Sequence, residues 1–269
     1  MTLALEAIAR LIRSTAQAEI VPRFRALTAD DIREKRPGDL VTVADVEAER
    51  ALIRGLEALA PGSVALGEEG VFADPSRLDL MAGNAPVWII DPVDGTGNFA
   101  KGKPGFAVIV AYVERGTTVA GWIYDPLAGV MAAAVLGGGA WSDGRRLRVA
   151  ADAAPEAMTG SAYGRTPSGD RSAQALTQSG RFGSVNNRGC SGLEYLELAF
   201  GQAHFTLHSR SLPWDHAAGM LIVTEAGGVA SFLDGSPYDP RLLDRKPLAA
   251  ATSEAWQLVH EIVTRPAAG

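Results

Sequence analysis

Three apolar runs, Phe106–Val113, Thr118–Tyr124 and Val130–Val135, follow one another with only Glu114-Arg-Gly116 and Asp125-Pro-Leu-Ala-Gly129 between them. Connections this short join antiparallel strands, because a parallel pair needs a crossover of about a dozen residues or more. The segment is a meander, and the sheet it belongs to is predicted to be largely antiparallel. Gly137–Gly139 and Ser142-Asp-Gly144 punctuate a further hairpin. Ahead of the meander, Val64–Leu66 and Val87–Ile90 read as short buried strands. Helical spacing of Leu3, Leu5, Ile8, Leu11 and Ile12 predicts a mostly helical stretch over Thr2–Leu27, interrupted near Pro22. Arg33–Asp39 reads as a charged turn ended by Pro37-Gly38. A second helix opens at Thr42-x-x-Asp45 and runs to about Leu59, where Pro61-Gly62 closes it.

The small, polar stretch Ala150–Pro155 marks the boundary between two halves. Beyond it, Leu193–Phe200, Asp215–Ala226 and Ser253–Val263 are predicted helices and Phe205–Leu207 a strand. Gly227-Gly228 stops the second of these helices. The expected fold class is therefore α/β of the α+β kind, with a largely antiparallel N-terminal sheet and a second C-terminal α/β half. Residues 1–150 form the first half, 151–269 the second, and both contribute to one catalytic unit.

Composition excludes several functions. The 25 Lys+Arg and 31 Asp+Glu give a net charge of −6, with no long basic run. That balance speaks against general nucleic-acid binding. The single cysteine, Cys190, rules out an intrachain disulfide and fits a reducing, cytoplasmic setting. No apolar stretch reaches the roughly 18–20 residues of a membrane span, and Met1–Ala16 does not read as a signal peptide.

The acids are patterned. In Trp88-Ile-Ile-Asp-Pro-Val-Asp-Gly-Thr-Gly-Asn-Phe99 an apolar strand delivers Asp91 to its carboxyl end. Pro92 cannot continue the ladder, and Asp94 follows three residues later. Two acids around such a turn can face one point with the Val93 carbonyl between them, a set of hard oxygen ligands suited to Mg²⁺. The amides of Gly95 and Thr96, at a helix start, can hold phosphate oxygens. A plain Asp-Gly turn would leave the second acid and the Thr unexplained. Leu66-Gly-Glu-Glu-Gly70 also follows a strand, so that Glu68 or Glu69 could reach the same centre or simply be solvated. Asp215, in Pro213-Trp-Asp-His-Ala-Ala-Gly219, either caps a helix or faces a metal. Asp45, in Asp39-Leu-Val-Thr-Val-Ala-Asp45, either completes a capping box with Thr42 or orients and deprotonates a water.

Taken together, these segments give the chain a resemblance to the inositol monophosphatase family of Mg²⁺-dependent, lithium-sensitive phosphomonoesterases. Asp91–Thr96 fits the family's Asp-Pro-x-Asp-Gly-Thr motif. Gly67–Glu69 fits Gly-Glu-Glu, and Leu40–Asp45 fits Leu-Val-Thr-x-x-Asp. Trp214–Gly219 and Thr224–Gly228 fit the C-terminal elements. The resemblance spans about 190 residues in family order. It implies a layered α-β-α-β-α sandwich, a homodimer, and hydrolysis of a small phosphorylated metabolite by water activated at two or three Mg²⁺ ions. By the same resemblance, Glu68, Asp91 and the Val93 carbonyl hold one ion, and Asp91, Asp94 and Asp215 another. Glu68 also leans on a third. Asp45 and Thr96 activate the water, and the Gly95 and Thr96 amides hold the phosphate. The family's substrate-contact loop corresponds to Gly189-Cys190-Ser191, with Asp215 also near the substrate.

The chain departs from the pattern at informative places. The family's hydroxyl-binding Glu, seven residues before the metal-binding Asp, is His208 here, so a sugar-hydroxyl contact would come from an imidazole. A family lysine five residues before Asp39 is replaced by Glu34, with Lys35 beside it. Gly97 stands where the nucleotide-bisphosphatase branch has Lys. Candidate substrates are inositol monophosphate, histidinol phosphate and fructose 1,6-bisphosphate. A covalent Asp-x-Asp phosphatase is excluded by the Asp91-x-x-Asp94 spacing. His204 and His208 lack the Glu of a helical zinc motif. A non-catalytic regulatory relative is the remaining alternative, against which stands the completeness of the site.

Overall fold

The computed structural model describes residues 4–163 and 170–264. In chain order the elements are α1 (Leu5–Thr15), β1 (Ile32–Arg36), β2 (Asp39–Thr42), α2 (Val43–Leu59), β3 (Val64–Gly67), α3 (Glu68–Ala73), β4 (Val87–Asp94), α4 (Thr96–Ala100), β5 (Ala107–Glu114), β6 (Thr117–Asp125), β7 (Val130–Val135), β8 (Gly139–Ser142) and β9 (Arg145–Arg146). There follow β10 (Thr159–Ala162), α5 (Ser172–Gln178), β11 (Ser184–Asn186), α6 (Ser191–Ala199), β12 (Phe205–Leu207), α7 (Pro213–Glu225), β13 (Val229–Phe232), β14 (Pro247–Ala250) and α8 (Ser253–Thr264).

The meander is the middle of a seven-stranded sheet ordered β3-β4-β5-β6-β7-β8-β9. Only its first pair, β3 with β4, is parallel; β4 to β9 are antiparallel neighbours throughout. Strand period two sorts side chains between its faces. Val87 and Ile89 of β4, with Ile109 and Ala111 of β5, join one core. Trp88 and Ile90, with Val108 and Val110, join the other, against Ile8 and Ile12 of α1 and Leu52 and Leu56 of α2. Ile12, Leu52 and Leu56 are fully buried, each contributing roughly 2 kcal/mol.

A second, five-stranded sheet has the order β11-β10-β12-β14-β13. Its outer face packs on α5 and α8 through Phe205, Leu248, Leu176 and Val259. Helices α6 and α7 fill the space between the sheets: Leu198, Ala217, Ala218 and Ile222 share a core with Ile109 of the first sheet and Ala249 of the second. The architecture is the α-β-α-β-α sandwich that the resemblance implies. Helix α7 is buried on nearly every side, as a helix between two sheets must be. Its small residues make this possible. A Cβ on Gly219 would lie 2.1 Å from the Tyr195 ring of α6.

Several local expectations change. Arg33–Asp39 is no open turn: β1 and β2 form an antiparallel hairpin across Pro37-Gly38, with Gly38 at φ +82°. The N-terminal helix is regular only to Thr15; a π turn (Ala16–Ile20) and a 3₁₀ turn (Val21–Arg23) follow, since Pro22 has no N–H for the ladder. Strand β4 does not end at Ile90 but continues through Asp94. Helix α7 starts at Pro213 rather than Asp215, with Leu212 at the cap. Asp215 is thus in the first turn and not an N-cap.

Candidate active site

The strand irregularity at Pro92 creates the site. Asp91 pairs with Ile109 but Asp94 pairs with Ala107, so three residues of β4 oppose two of β5. In a regular strand, residues three apart face opposite ways. The extra residue cancels that alternation. Ile109 and Ala107 lie on one face, toward α6 and α7, and both acids are delivered there. Asp215 comes to meet them from the first turn of α7. Carboxylate oxygens of Asp91, Asp94 and Asp215 lie within 4.8 Å of one another.

Burial pushes all three carboxyl groups above the ordinary carboxylate range. For Asp91 the charges of Glu68, Asp94 and Asp215 add to it. For Asp215 those of Asp94 and Glu68 do. Asp94 is restrained by donors: Gly192 N–H at 2.6 Å and Cys190 Sγ at 3.0 Å from its Oδ2. Cys190 is itself pushed well up by burial, so it is a thiol that donates. The Gly189–Ser191 loop therefore aims a carboxylate while lining a cavity; Ser191 Oγ donates to the Asp215 carbonyl at 3.2 Å.

Two buried carboxylates and a half-buried one, with oxygen donors alone and no cation of the chain bonded to them among the described residues, fit a hard divalent cation. Lys35, a cation near the cluster, is engaged elsewhere. Its Nζ donates to Glu68 Oε1 at 2.7 Å and Glu69 Oε1 at 2.9 Å. Glu68 lines the cavity beside Asp91 but is not part of the three-carboxylate cluster. Glu69 is pushed up to about 8 by burial and then by Glu68.

Asp45 answers both readings at once. Its Oδ2 accepts from Thr42 N–H at 2.8 Å and Thr42 Oγ1 at 2.5 Å, a capping box. Its Oδ1 faces Thr96 Oγ1 at 3.0 Å, and that hydroxyl is also 2.9 Å from the Val93 carbonyl. Burial raises the Asp45 carboxyl to about 6. Asp45 is buried behind Thr96 and reaches the cavity only through it. Gly95, at φ +91°, starts α4; a Cβ there would lie 2.6 Å from the Gly105 carbonyl. The first N–H groups of α4 have no partner within the helix.

Two adjoining cavities meet at these acids. The larger, of about 980 Å³, includes Glu68, Asp91, Gly95 and Thr96 in its lining. The smaller, of about 160 Å³, is lined by Gly189, Cys190, Ser191, Glu194 and His208. Asp94, Arg210 and Asp215 line both. His208 does not present a free charge. Burial drives it down to about 3, its ring stacks on Tyr195, and its Nε2 is 2.9 Å from Thr206 Oγ1.

Sequence reasoning missed Glu194 and Glu49. Glu194 supplies a carboxylate 3.8 Å from His208 Nε2. It accepts from Arg188 N–H and Thr206 Oγ1 and is raised to about 7 by burial. Helix α6 also carries Glu197, and nothing in the spacing says which of the two faces inward. Glu49 accepts from the Glu69 and Gly70 amides at 2.8 and 2.9 Å, fixing the start of α3 and hence Glu68. A signal existed here: Asp45, Glu49, Leu52 and Leu56 follow one helical stripe.

Comparison with known proteins identifies the family and the fold. Residues 3–266 match the profile of the inositol monophosphatase family. A fructose-1,6-bisphosphatase/inositol-1-monophosphatase of Thermotoga maritima is 33% identical over 204 residues, covering 75% of each chain. The solved structure of a Thermotoga maritima IMPase superposes with a TM-score of 0.80 at 29% identity, over 96% of this chain and 97% of that one. An IMPase/NADP phosphatase solved with Mg²⁺ and phosphate shares the fold, with a TM-score of 0.78 at 23% identity, over 98% of this chain and 97% of that one. The chain belongs to the inositol monophosphatase family and by that membership is a phosphatase, with Mg²⁺ as the cation its acidic cluster suits.

Proposed function

We propose that the protein hydrolyses a small phosphate monoester, with inositol monophosphatase-type chemistry, at the junction of the two cavities. The observation that supports this best is the β4 bulge, which turns Asp91 and Asp94 to one side, where Asp215 completes a cation site beside Thr96. In this reading Asp91, Asp94 and Asp215 would hold Mg²⁺, with the Val93 carbonyl and Glu68 as further oxygen ligands. Bound there, Mg²⁺ supplies positive charge for the phosphate oxygens and the departing alkoxide.

The chain's own groups do the rest. The Gly95 and Thr96 amides receive phosphate oxygens. A water donating to Thr96 Oγ1 loses a proton along the hydroxyl to Asp45 Oδ1, whose value near 6 suits a base at neutral pH. The leaving alcohol lies in the smaller cavity, where Glu194 provides the carboxylate that the family takes from the position of His208. Residues 1–150 and 151–269 act as one catalytic unit, since Asp91 and Asp94 come from one and Asp215 from the other. The reading also carries a cytoplasmic homodimer inhibited by Li⁺, which light scattering and Li⁺ titration test.

Phosphate release from inositol monophosphate, histidinol phosphate and fructose 1,6-bisphosphate, with and without Mg²⁺, is the direct test. Asp94→Asn is expected to lower kcat/KM by about 10³-fold or more. Undiminished hydrolysis by Asp94→Asn with the metal chelated would sink the mechanism.

A further inference from the structure

Arg210 stands between the two cavities and lines both. Its side chain is exposed and makes no hydrogen bond or ion pair among the described residues. The other cations near the site are engaged. Lys35 is held by Glu68 and Glu69, and Arg36, in the larger cavity alone, lies over the Phe72 ring at 5.8 Å. Arg210 is thus the only cation among the described residues lining the smaller cavity.

Its backbone is anchored. His216 Nε2 lies 2.9 Å from the Arg210 carbonyl, and Tyr195 OH lies 3.1 Å from His216 Nδ1. A carbonyl only accepts, so Nε2 carries the proton. The His216 Nδ1 pairs with the tyrosine hydroxyl. This chain of donors, buried between α6 and α7, fixes the segment that carries the guanidinium. A loosely placed surface arginine would need no such support.

The cavity's size limits what can enter. About 160 Å³ is close to the roughly 150 Å³ of a cavity that encloses benzene. A group of about six heavy atoms fits inside, with anything further emerging at the mouth beside Arg210.

We propose that Arg210 is a specificity-determining residue that selects phosphate monoesters whose leaving alcohol bears a second oxyanion, a carboxylate or another phosphate. This rests on the phosphatase reading above and narrows its substrate class. A guanidinium pairs with either oxyanion in the same fork geometry.

The test uses matched esters that differ by one charge. 2-Phosphoglycerate against glycerol 2-phosphate examines a carboxylate; glucose 1,6-bisphosphate against glucose 1-phosphate examines a phosphate. With Mg²⁺, the wild-type protein is expected to favour the charged member of at least one pair by about 10-fold or more in kcat/KM. Arg210→Gln should remove that preference, mostly through KM, and Arg210→Lys should restore part of it. If one pair shows the preference and the other does not, that pair names the oxyanion. Equal use of charged and neutral esters by the wild type would overturn the proposal. So would a loss in Arg210→Gln that falls alike on both members, which would mark Arg210 as a counter-charge for Asp215. Release of phosphate from none of the four esters would overturn this proposal alone if inositol monophosphate is hydrolysed in the same assay, and the hydrolysis reading as well if inositol monophosphate, histidinol phosphate and fructose 1,6-bisphosphate are also left intact.

Discussion

A buried imidazole at position 208 shows how far one residue can depart from a pattern while the site survives. His208 is enclosed by Tyr195, Thr206, Glu194 and His216, and burial alone lowers it to about 3. Its ordinary value is about 6.5, so between these limits the unfolded chain takes up a proton that the folded one refuses. The stabilisation is whole above about pH 6.5 and drains away as pH falls toward 3. At pH 5 the loss is about 2 kcal/mol. Urea unfolding of the parent and of His208→Gln at pH 7 and pH 5 isolates this contribution from that of the raised carboxyls: the change in stability between the two pH values should differ between the proteins by about 2 kcal/mol. An identical pH slope in the variant would mean that His208 is not buried as a neutral ring. His216 shifts the same way and leaves a residual slope. In the proposed reading Glu194, on a different element, supplies the carboxylate in that volume, because what a leaving alcohol needs there is an acceptor, whichever strand or helix provides it.

Helix α7 decides how the acids meet. Pro213 at its first position has no N–H to leave unsatisfied there, and the small run Ala217-Ala218-Gly219 lets the helix approach α6 and the first sheet. The missing Cβ at Gly219 is what admits the Tyr195 ring. Gly219→Val is expected to destabilise the fold by about 3 kcal/mol or more, since overpacking at a buried contact has no free space to relax into. Thermal unfolding measures it. Gly219→Ala should fall between the two, and equal stability of all three would contradict the close contact. The same displacement would withdraw Asp215 from Asp91 and Asp94, so activity should fall further than stability alone accounts for. The β4 bulge acts in the same way, by moving a side chain to another face rather than by changing its chemistry.

Across the whole molecule, the cation site ties together two regions that are far apart in sequence. Asp91 and Asp94 belong to the seven-stranded sheet, Asp215 to the helix layer between the sheets. Without a cation, their mutual repulsion and burial oppose folding. Mg²⁺ at about a hundred times its dissociation constant should stabilise the protein by about 2.7 kcal/mol, read as a rise in Tm that chelation reverses. Asp91→Asn should lose that rise. Free of metal it should be more stable than the parent, by on the order of 1 kcal/mol, because one of the repelling charges is gone. A variant with an unchanged Mg²⁺ response would remove Asp91 from the site.

The sequence alone determined the meander, the main helices and most of the acids. Strand and helix periods are local, and the Asp-Pro-Val-Asp-Gly-Thr, Gly-Glu-Glu and Trp-Asp segments carry their chemistry within a few residues. It also pointed to the family. It misjudged Arg33–Asp39, because the charged β1 has no apolar alternation to betray it and β2 is only four residues long; their pairing across Pro37-Gly38 is what defines them. Only the tertiary structure decided that Asp91 and Asp94 share a face, since that depends on a register step against β5. Only it placed Asp45 behind Thr96, bound Lys35 to Glu68, brought Glu194 beside His208 and set Arg210 in the lining of two cavities with no hydrogen bond or ion pair among the described residues. Each of these is a contact between residues 12 or more positions apart, or a choice of helix face. Such relations are fixed by packing and have no counterpart in the order of the residues.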